Sequence, residues 1–489
     1  MDLDPVFLSR LQFAWVIALH ILLPAFTVGL ACFIALLESV HLFTGNALYL
    51  RLSQFWLRIF AVSFGLGVVS GIVMPFQFGT NWSRFSDATS NVVAPLLAYE
   101  GLTAFFLEAA CLGVLLFGRK LVPPIVHCGA AILVAAGTFA SSFWILAVNS
   151  WMQTPAGYER IDGRFFAVDW MAVIFNPSFP YRLAHTVTAF FITTAFLVIA
   201  VACYHLRKNQ FVPESRKMLS MTFWLATILV PAQILIGDRH GLNTLLHQPM
   251  KVAAMEGNWD KRISAPLLLF ALPDQAAQTN RFEIGIPYLG SLILRHDIYG
   301  EIPGLKEVSP QDQPPVAVVF WAFRIMVGAG LAMLGLIAIS LWLRHRRQLY
   351  TARWFQRLCI WASPLGFIAV LAGWTVTETG RQPWVVYGML RTADAVSPSL
   401  TGTDVAISLA VYVVVYCFVF GSGLILLLRL MRTVPAPHEE PRITAPLGEA
   451  AEAVVLLGGA RPLAAATPSP ATPAPNQRPG GGVLEGSSP

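Results

Sequence analysis

A chain of 489 residues that is 56% hydrophobic and only 12% charged, with a mean hydropathy of +0.62, is a polytopic membrane protein rather than a water-soluble globule. Its net charge of +6 requires no nucleic acid, because basic loops at a membrane face supply it. The six cysteines (Cys32, Cys111, Cys128, Cys203, Cys359 and Cys417) fall in apolar runs without a CxxC pair, so they read as small buried hydrophobes, not as a disulfide framework or a zinc site.

The start, Met1-Asp2-Leu3-Asp4, has no basic n-region, and no small-residue cleavage site follows, so the first apolar run is expected to be an uncleaved span. About nine spans of ~20 apolar residues are predicted, at 11–38, 53–75, 92–118, 122–148, 183–205, 217–237, 316–343, 354–377 and 404–430. Their faces are apolar all round, so periodicity does not orient them. No internal repeat is evident, which counts against an inverted-repeat transporter. The predicted fold is an all-α integral membrane protein in four stretches. Residues 1–237 carry six spans, 238–315 form a long polar connection, 316–432 carry three spans, and 433–489 form a Pro-, Ala- and Gly-rich tail expected to be disordered.

Basic residues set the orientation. Alternate connections hold Arg51; Arg119 and Lys120; Arg207, Lys208, Arg216 and Lys217; and Arg344, Arg346, Arg347 and Arg353, and the last span ends on Arg429 and Arg432. These ends are expected in the cytoplasm, which puts the N-terminus and the 238–315 connection outside and the C-terminus inside. With that orientation, His20, Glu100, Glu108, His185, Arg324, Met326 and Glu378 all fall in the outer half of their spans. Intramembrane ionisable groups are expensive, and their convergence on one half of the membrane points to a shared site. A His/Met axial pair suits a low-spin haem, and a lone His or carboxylate leaves an open position for oxygen chemistry.

The most distinctive stretch is Gly373-Trp374-Thr375-Val376-Thr377-Glu378-Thr379-Gly380-Arg381-Gln382-Pro383-Trp384. A carboxylate and a guanidinium sit there where lipid gives way to water, flanked by two Trp at interface depth. The bland reading is a helix-end salt bridge with Trp anchors; the functional one is a cofactor or proton site.

This stretch resembles the GWxxxExGRQPW signature of cytochrome bd quinol oxidase subunit I. Five further motifs follow the family's order: Ser9-Arg10-Leu11-Gln12-Phe13 before His20; Phe76-Gln77-Phe78-Gly79-Thr80-Asn81-Trp82; Glu100-Gly101 with Phe105-Phe106-Leu107-Glu108; Ala147-Val148-Asn149-Ser150-Trp151-Met152-Gln153; and the paired segments His185-Thr186-Val187 and Phe323-Arg324-Ile325-Met326-Val327. The resemblance covers about residues 5–430. It implies His185 and Met326 as ligands of a low-spin haem b with Arg324 beside it. It implies His20 and Glu378 as ligands of two high-spin haems, one haem b and one haem d or a further haem b. Glu100 and Glu108 would line a proton path, Trp374 would assist electron transfer, and Arg381 would neutralise a propionate.

Lys251 and Glu256, in Lys251-Val252-Ala253-Ala254-Met255-Glu256, match the family's quinol segment and are expected to face the outer side. Pro273-Asp274-Gln275 is followed by Ala276-Ala277-Gln278 in place of an acidic run, and no long insertion is present, which resembles the short-loop, cyanide-insensitive branch. The implied protein is a ubiquinol oxidase of the bacterial inner membrane. It would reduce oxygen to water with cytoplasmic protons and pair with a subunit II, with room for a small single-helix subunit. Read from the residues alone, a proton-coupled transporter without haem uses the same carboxylates and membrane-edge Arg, and would be colourless. A cytochrome that oxidises quinol without oxygen chemistry would carry low-spin haem only.

Overall fold

In the computed structural model residues 4–434 are described, and among them nine helices are long and apolar enough to cross a membrane. Spans one to nine run Pro5–Thr44, Ala47–Thr80, Ser83–Lys120, Pro124–Gln153, Phe179–Arg207, Val212–His247, Pro310–His345, Arg353–Thr379 and Gly402–Arg432. Each matches an expected apolar run and, except at the start of span four, reaches further at its ends. The cause is capping chemistry in the polar flanks. Asp4 accepts from the Val6 amide at 2.9 Å ahead of Pro5, Asn46 accepts from the Leu48 amide at 2.9 Å, and Thr401 with Asp404 forms a capping box. From residue 435 on, the tail expected to be disordered lies outside the described residues.

Four spans are interrupted, among them span seven, where residues 313–315 separate the turn Pro310–Asp312 from the helix Val316–His345. Pro24 divides span one into Pro5–Ile21 and Pro24–Thr44, and Pro364 precedes the second helix of span eight, Leu365–Thr379, after Arg353–Trp361. In span three a π-helical turn, Gly101–Phe105, lies between Glu100 and Glu108. On a regular α-helix two residues eight apart would stand about 80° past two full turns, and the wider turn changes that offset.

Spans one to four pack as a ring (one on two, two on three, three on four, four on one), and spans five to eight pack as a second ring in the same way. Spans one and four of the first ring lean on span five of the second, and span nine lies against spans one and two. Small residues allow the close approaches: a Cβ on Gly366 would stand 2.7 Å from Cα of Thr193, so span eight meets span five nearly backbone to backbone. Cys128, Cys203 and Cys359 are buried as expected, whereas Cys417 on span nine is exposed.

The connections carry the only β structure among the described residues, four two-stranded sheets. Between spans four and five, Tyr158–Ile161 pairs with Arg164–Ala167, and Phe165 packs edge-on against Trp151 at 5.6 Å. The 238–315 stretch is ordered throughout. Span six continues to His247, ten residues past its expected end, because Asp238, Arg239 and His240 are polar but break no helix. A short helix, Pro249–Glu256, follows, then a hairpin of Leu267–Asp274 with Thr279–Ile286 and a small pairing of Arg262–Ile263 with Glu301–Ile302. Ala276-Ala277 fall in the hairpin turn, where Asp274 accepts from the Ala277 amide at 3.1 Å. This connection shares one apolar core with the spans: Val252, Met255, Trp259, Ala265 and Leu305 pack with Val316, Val319 and Val376.

Candidate functional site

The site begins where span eight ends. Glu378 Oε2 pairs with Arg381 at 2.5 Å, one helical turn on, so the helix-end salt bridge does form. The carboxylate is not finished by it. Glu378 Oε1 accepts from Asn149 Nδ2 at 2.8 Å and from Gln153 Nε2 at 3.2 Å, both on the last turns of span four. Gln153 Oε1 in turn accepts from Lys251 Nζ at 2.7 Å and from Gln248 Nε2 at 3.1 Å. Three cations, Arg381, Lys251 and Arg182, lie within electrostatic reach of this one carboxylate. Arg381 is buried, and its Nε and Nη1 have no partner. Burial pushes the Lys251 ammonium well below the ordinary lysine range, with Arg182 and Arg381 adding to the effect and Glu378 opposing it. Burial also lowers Arg381, against the pull of Glu378.

The second group lies inside the ring of spans five to eight. His185 on span five and Met326 on span seven stand on opposite helices of that ring, where bundles hold cofactors between facing side chains. Each abuts a glycine: a Cβ on Gly373 would lie 3.0 Å from Met326 Sδ, and one on Gly237 would lie 3.4 Å from His185 Cε1. Trp374 follows Gly373 directly and is half-buried. His185 Nδ1 is buried without a partner, and the His240 ring lies edge-on at 5.4 Å. His20, in the other ring, hydrogen-bonds Ser70 Oγ at 2.9 Å and faces Gly71 at 3.3 Å from a Cβ there. His20 thus leans on span two while Glu378 leans on span four; the two make no direct contact.

In the same ring Glu100 accepts from Ser141 Oγ at 2.8 Å, and Glu108 presses on Gly137 with its Oε1 buried and unpartnered. Both partners come from span four, which also supplies Asn149 and Gln153.

The 238–315 connection differs from expectation. Lys251 and Glu256 do not present themselves to solvent; they are 2% and 3% exposed. The Pro249–Glu256 helix is buried along its whole 251–256 stretch, so both side chains are enclosed. Glu256 is held by Arg324 Nη2 at 2.9 Å, and the same guanidinium donates to the Leu268 and Met255 carbonyls and lies over the Phe320 ring at 4.2 Å. Arg324 thereby fastens the 238–315 connection onto span seven. Asn149, Gln153, Arg182 and Gln248 were missed as site residues. Asn149 and Gln153 sat in a quoted motif, but neutral amides gave no sign of which carboxylate they serve.

These residues fit haem. Three of the four expected ligands, His185, Met326 and His20, face a glycine, and unpartnered buried donors on Arg381, beside the fourth, Glu378, suit propionate oxygens.

Comparisons with known proteins agree. The family model for cytochrome bd terminal oxidase subunit I matches residues 8–435. The chain is 35% identical over 430 residues to cytochrome bd ubiquinol oxidase subunit 1 of Bacillus subtilis, covering 86% of this chain and 92% of that one. It is 30% identical over 509 residues to cytochrome bd-II ubiquinol oxidase subunit 1 of Escherichia coli, covering 90% of this chain and 99% of that one. The bd oxidase structure from Geobacillus thermodenitrificans superposes with a TM-score of 0.82 at 30% identity, over 89% of this chain and all of the matched chain.

Proposed function

Since the chain belongs to the cytochrome bd terminal oxidase subunit I family, multi-pass quinol:oxygen oxidoreductases of bacterial membranes that carry haem, we propose the following division of labour among its residues. His185 and Met326 would hold a low-spin haem b. His20 and Glu378 each hold one high-spin haem, one of b type and the other haem d or a second haem b. When bound, these groups supply one-electron transfer and the place where oxygen is reduced to water.

The remaining steps belong to side chains. Arg381, with Arg182 and Lys251 nearby, balances the negative charge of propionates; a lone carboxylate beside two buried guanidinium groups leaves positive charge uncompensated, and burying it so is costly unless an anion is added. Trp374 packs beside the electron path. Glu108, then Ser141 and Glu100, hold protons moving from the cytoplasm towards the outer half, since hydrocarbon alone conducts none. Ubiquinol is oxidised at the 238–315 connection, where Lys251 and Glu256 lie, and its protons leave outside. Each charge so separated stores about 2.3 kcal/mol per 100 mV. A subunit II completes the oxidase.

The observation that carries this reading is the arrangement at Glu378: a carboxylate surrounded by Arg381, Arg182 and Lys251, with unpartnered guanidinium donors. The test is the visible spectrum, haem content and quinol-driven oxygen uptake of the purified oxidase. Low-spin and high-spin haem bands with oxygen uptake are expected. A colourless protein would leave the transporter reading, and low-spin bands alone would leave a cytochrome without oxygen chemistry.

A further inference from the structure

Gln153 is fully buried, and every polar atom of its side chain is engaged. Its geometry also fixes which way the amide points. A carboxamide oxygen has two lone pairs, and here they take Lys251 Nζ at 2.7 Å and Gln248 Nε2 at 3.1 Å. The amide nitrogen donates to Glu378 Oε1 at 3.2 Å. Flipping the amide would set NH2 against the Lys251 ammonium and the carbonyl oxygen against the Glu378 carboxylate, which is unfavourable at both ends. The main chain joins in, as Gln153 O accepts from Gln248 Nε2 at 2.8 Å. Lys251 and Gln248 belong to the outer connection, at the start of the Pro249–Glu256 helix. Glu378 belongs to span eight. Packing is tight on this side too, since a Cβ on Gly380 would lie 2.8 Å from Lys251 Cγ. One amide is therefore the polar bridge between the connection and the carboxylate.

We propose that Gln153 is a positioning residue that locks the Pro249–Glu256 helix of the outer connection to the Glu378 carboxylate, so that the two are held in one arrangement and a displacement of the helix is felt at Glu378. The proposal rests on the reading of Glu378 as a haem ligand only for its spectroscopic arm; the mechanical arm stands without it. Lys251 thereby has a second role, as the outer anchor of this bridge.

Two substitutions separate the two ends of the bridge. Gln153→Glu keeps an acceptor for Lys251 and Gln248 but sets a second carboxylate against Glu378. Gln153→Leu removes both ends at similar volume. The purified, intact oxidase is compared for cleavage of the 238–315 connection by added protease and for its reduced high-spin haem spectrum, with the low-spin band as the measure of folding. Gln153→Leu is expected to be cleaved roughly tenfold faster, the factor for losing a hydrogen bond to a charged donor, and to shift the high-spin band. Gln153→Glu is expected to keep wild-type protease resistance and still shift the band. Wild-type cleavage and wild-type spectra in both variants would overturn the proposal. Altered cleavage in Gln153→Leu with an unshifted band in both variants would overturn the link to Glu378. If Gln153→Leu fails to assemble, a wild-type spectrum in Gln153→Glu overturns the proposal by itself. Haem content of Glu378→Gln tests the ligand reading separately, so the failure of one is not mistaken for failure of the other.

Discussion

Glu38 and Glu378 are both carboxylates held at the ends of spans, and the protein surrounds them in opposite ways. Glu38, near the end of span one, is closed off by its own neighbours. Arg119 and Ser53 donate to one oxygen, and His127 Nδ1 faces the other at 3.4 Å while its Nε2 lies 3.0 Å from the Leu115 carbonyl. One oxygen takes two donors and the His127 ring flanks the other, and the cluster ties spans one, two, three and four together. Around Glu378 the surplus is on the donor side: Arg381 keeps two buried nitrogens without partners, and Lys251 and Arg182 stand behind it. The first arrangement is a finished staple. The second is complete only when something anionic joins it. A buried ion pair alone is weak evidence of function, because it serves structure equally well; an unbalanced one is stronger.

That contrast can be broken most severely at Arg381. Arg381→Met keeps the length and apolar stem but removes the planar fork of donors. Oxygen reduction is expected to fall by about two orders of magnitude, the scale for losing one preorganised charged donor, with high-spin haem depleted and the low-spin band intact. Steady-state oxygen uptake with haem quantitation checks it; normal turnover would make Arg381 no more than the counterpart of Arg119.

Met326→Leu comes next. The swap conserves volume and costs less than about 1.5 kcal/mol, so the fold persists. The low-spin haem is expected to become high-spin and quinol oxidation to slow, while the Glu378 site keeps its haem. A reduced spectrum identical to wild type would remove Met326 from the ligand set.

The smallest functional effect is expected at the finished staple. Glu38→Gln leaves Arg119 without its carboxylate, and because Arg119 is partly exposed the cost is about 2 kcal/mol of stability. Thermal unfolding is expected at lower temperature with haem content and oxygen uptake per folded protein unchanged. Loss of haem would mean that the two carboxylates are not as different as their surroundings indicate.

Much of this was legible in the sequence, for physical reasons. Nine apolar runs of membrane-crossing length announce nine spans, and Glu378 with Arg381 announces itself because charge is rare at that depth. What was not legible is how the motifs meet. Asn81 of the second motif donates to Ser9 of the first at 3.4 Å, and Gln12 donates to Ser408 of span nine at 3.1 Å, so part of the SRLQF pattern is interhelical packing. Asn149 and Gln153 carry no charge, and only the fold shows them turned towards Glu378. The 238–315 connection read as a polar loop because its strands are short and its apolar residues scattered; its burial of Lys251 and Glu256 depends on Val252, Met255 and Trp259 finding span seven. The π-helical turn between Glu100 and Glu108 has no composition signal at all.

The most direct test sets the two carboxylates side by side. Haem content per protein, resolved into low-spin and high-spin bands, is measured in purified Glu378→Gln and Glu38→Gln. Expected is the loss of at least one high-spin haem and of oxygen uptake from Glu378→Gln, with the low-spin haem retained, and full haem occupancy in Glu38→Gln. Full high-spin occupancy with normal oxygen uptake in Glu378→Gln would contradict the assignment and leave Glu378 as a helix-end salt bridge.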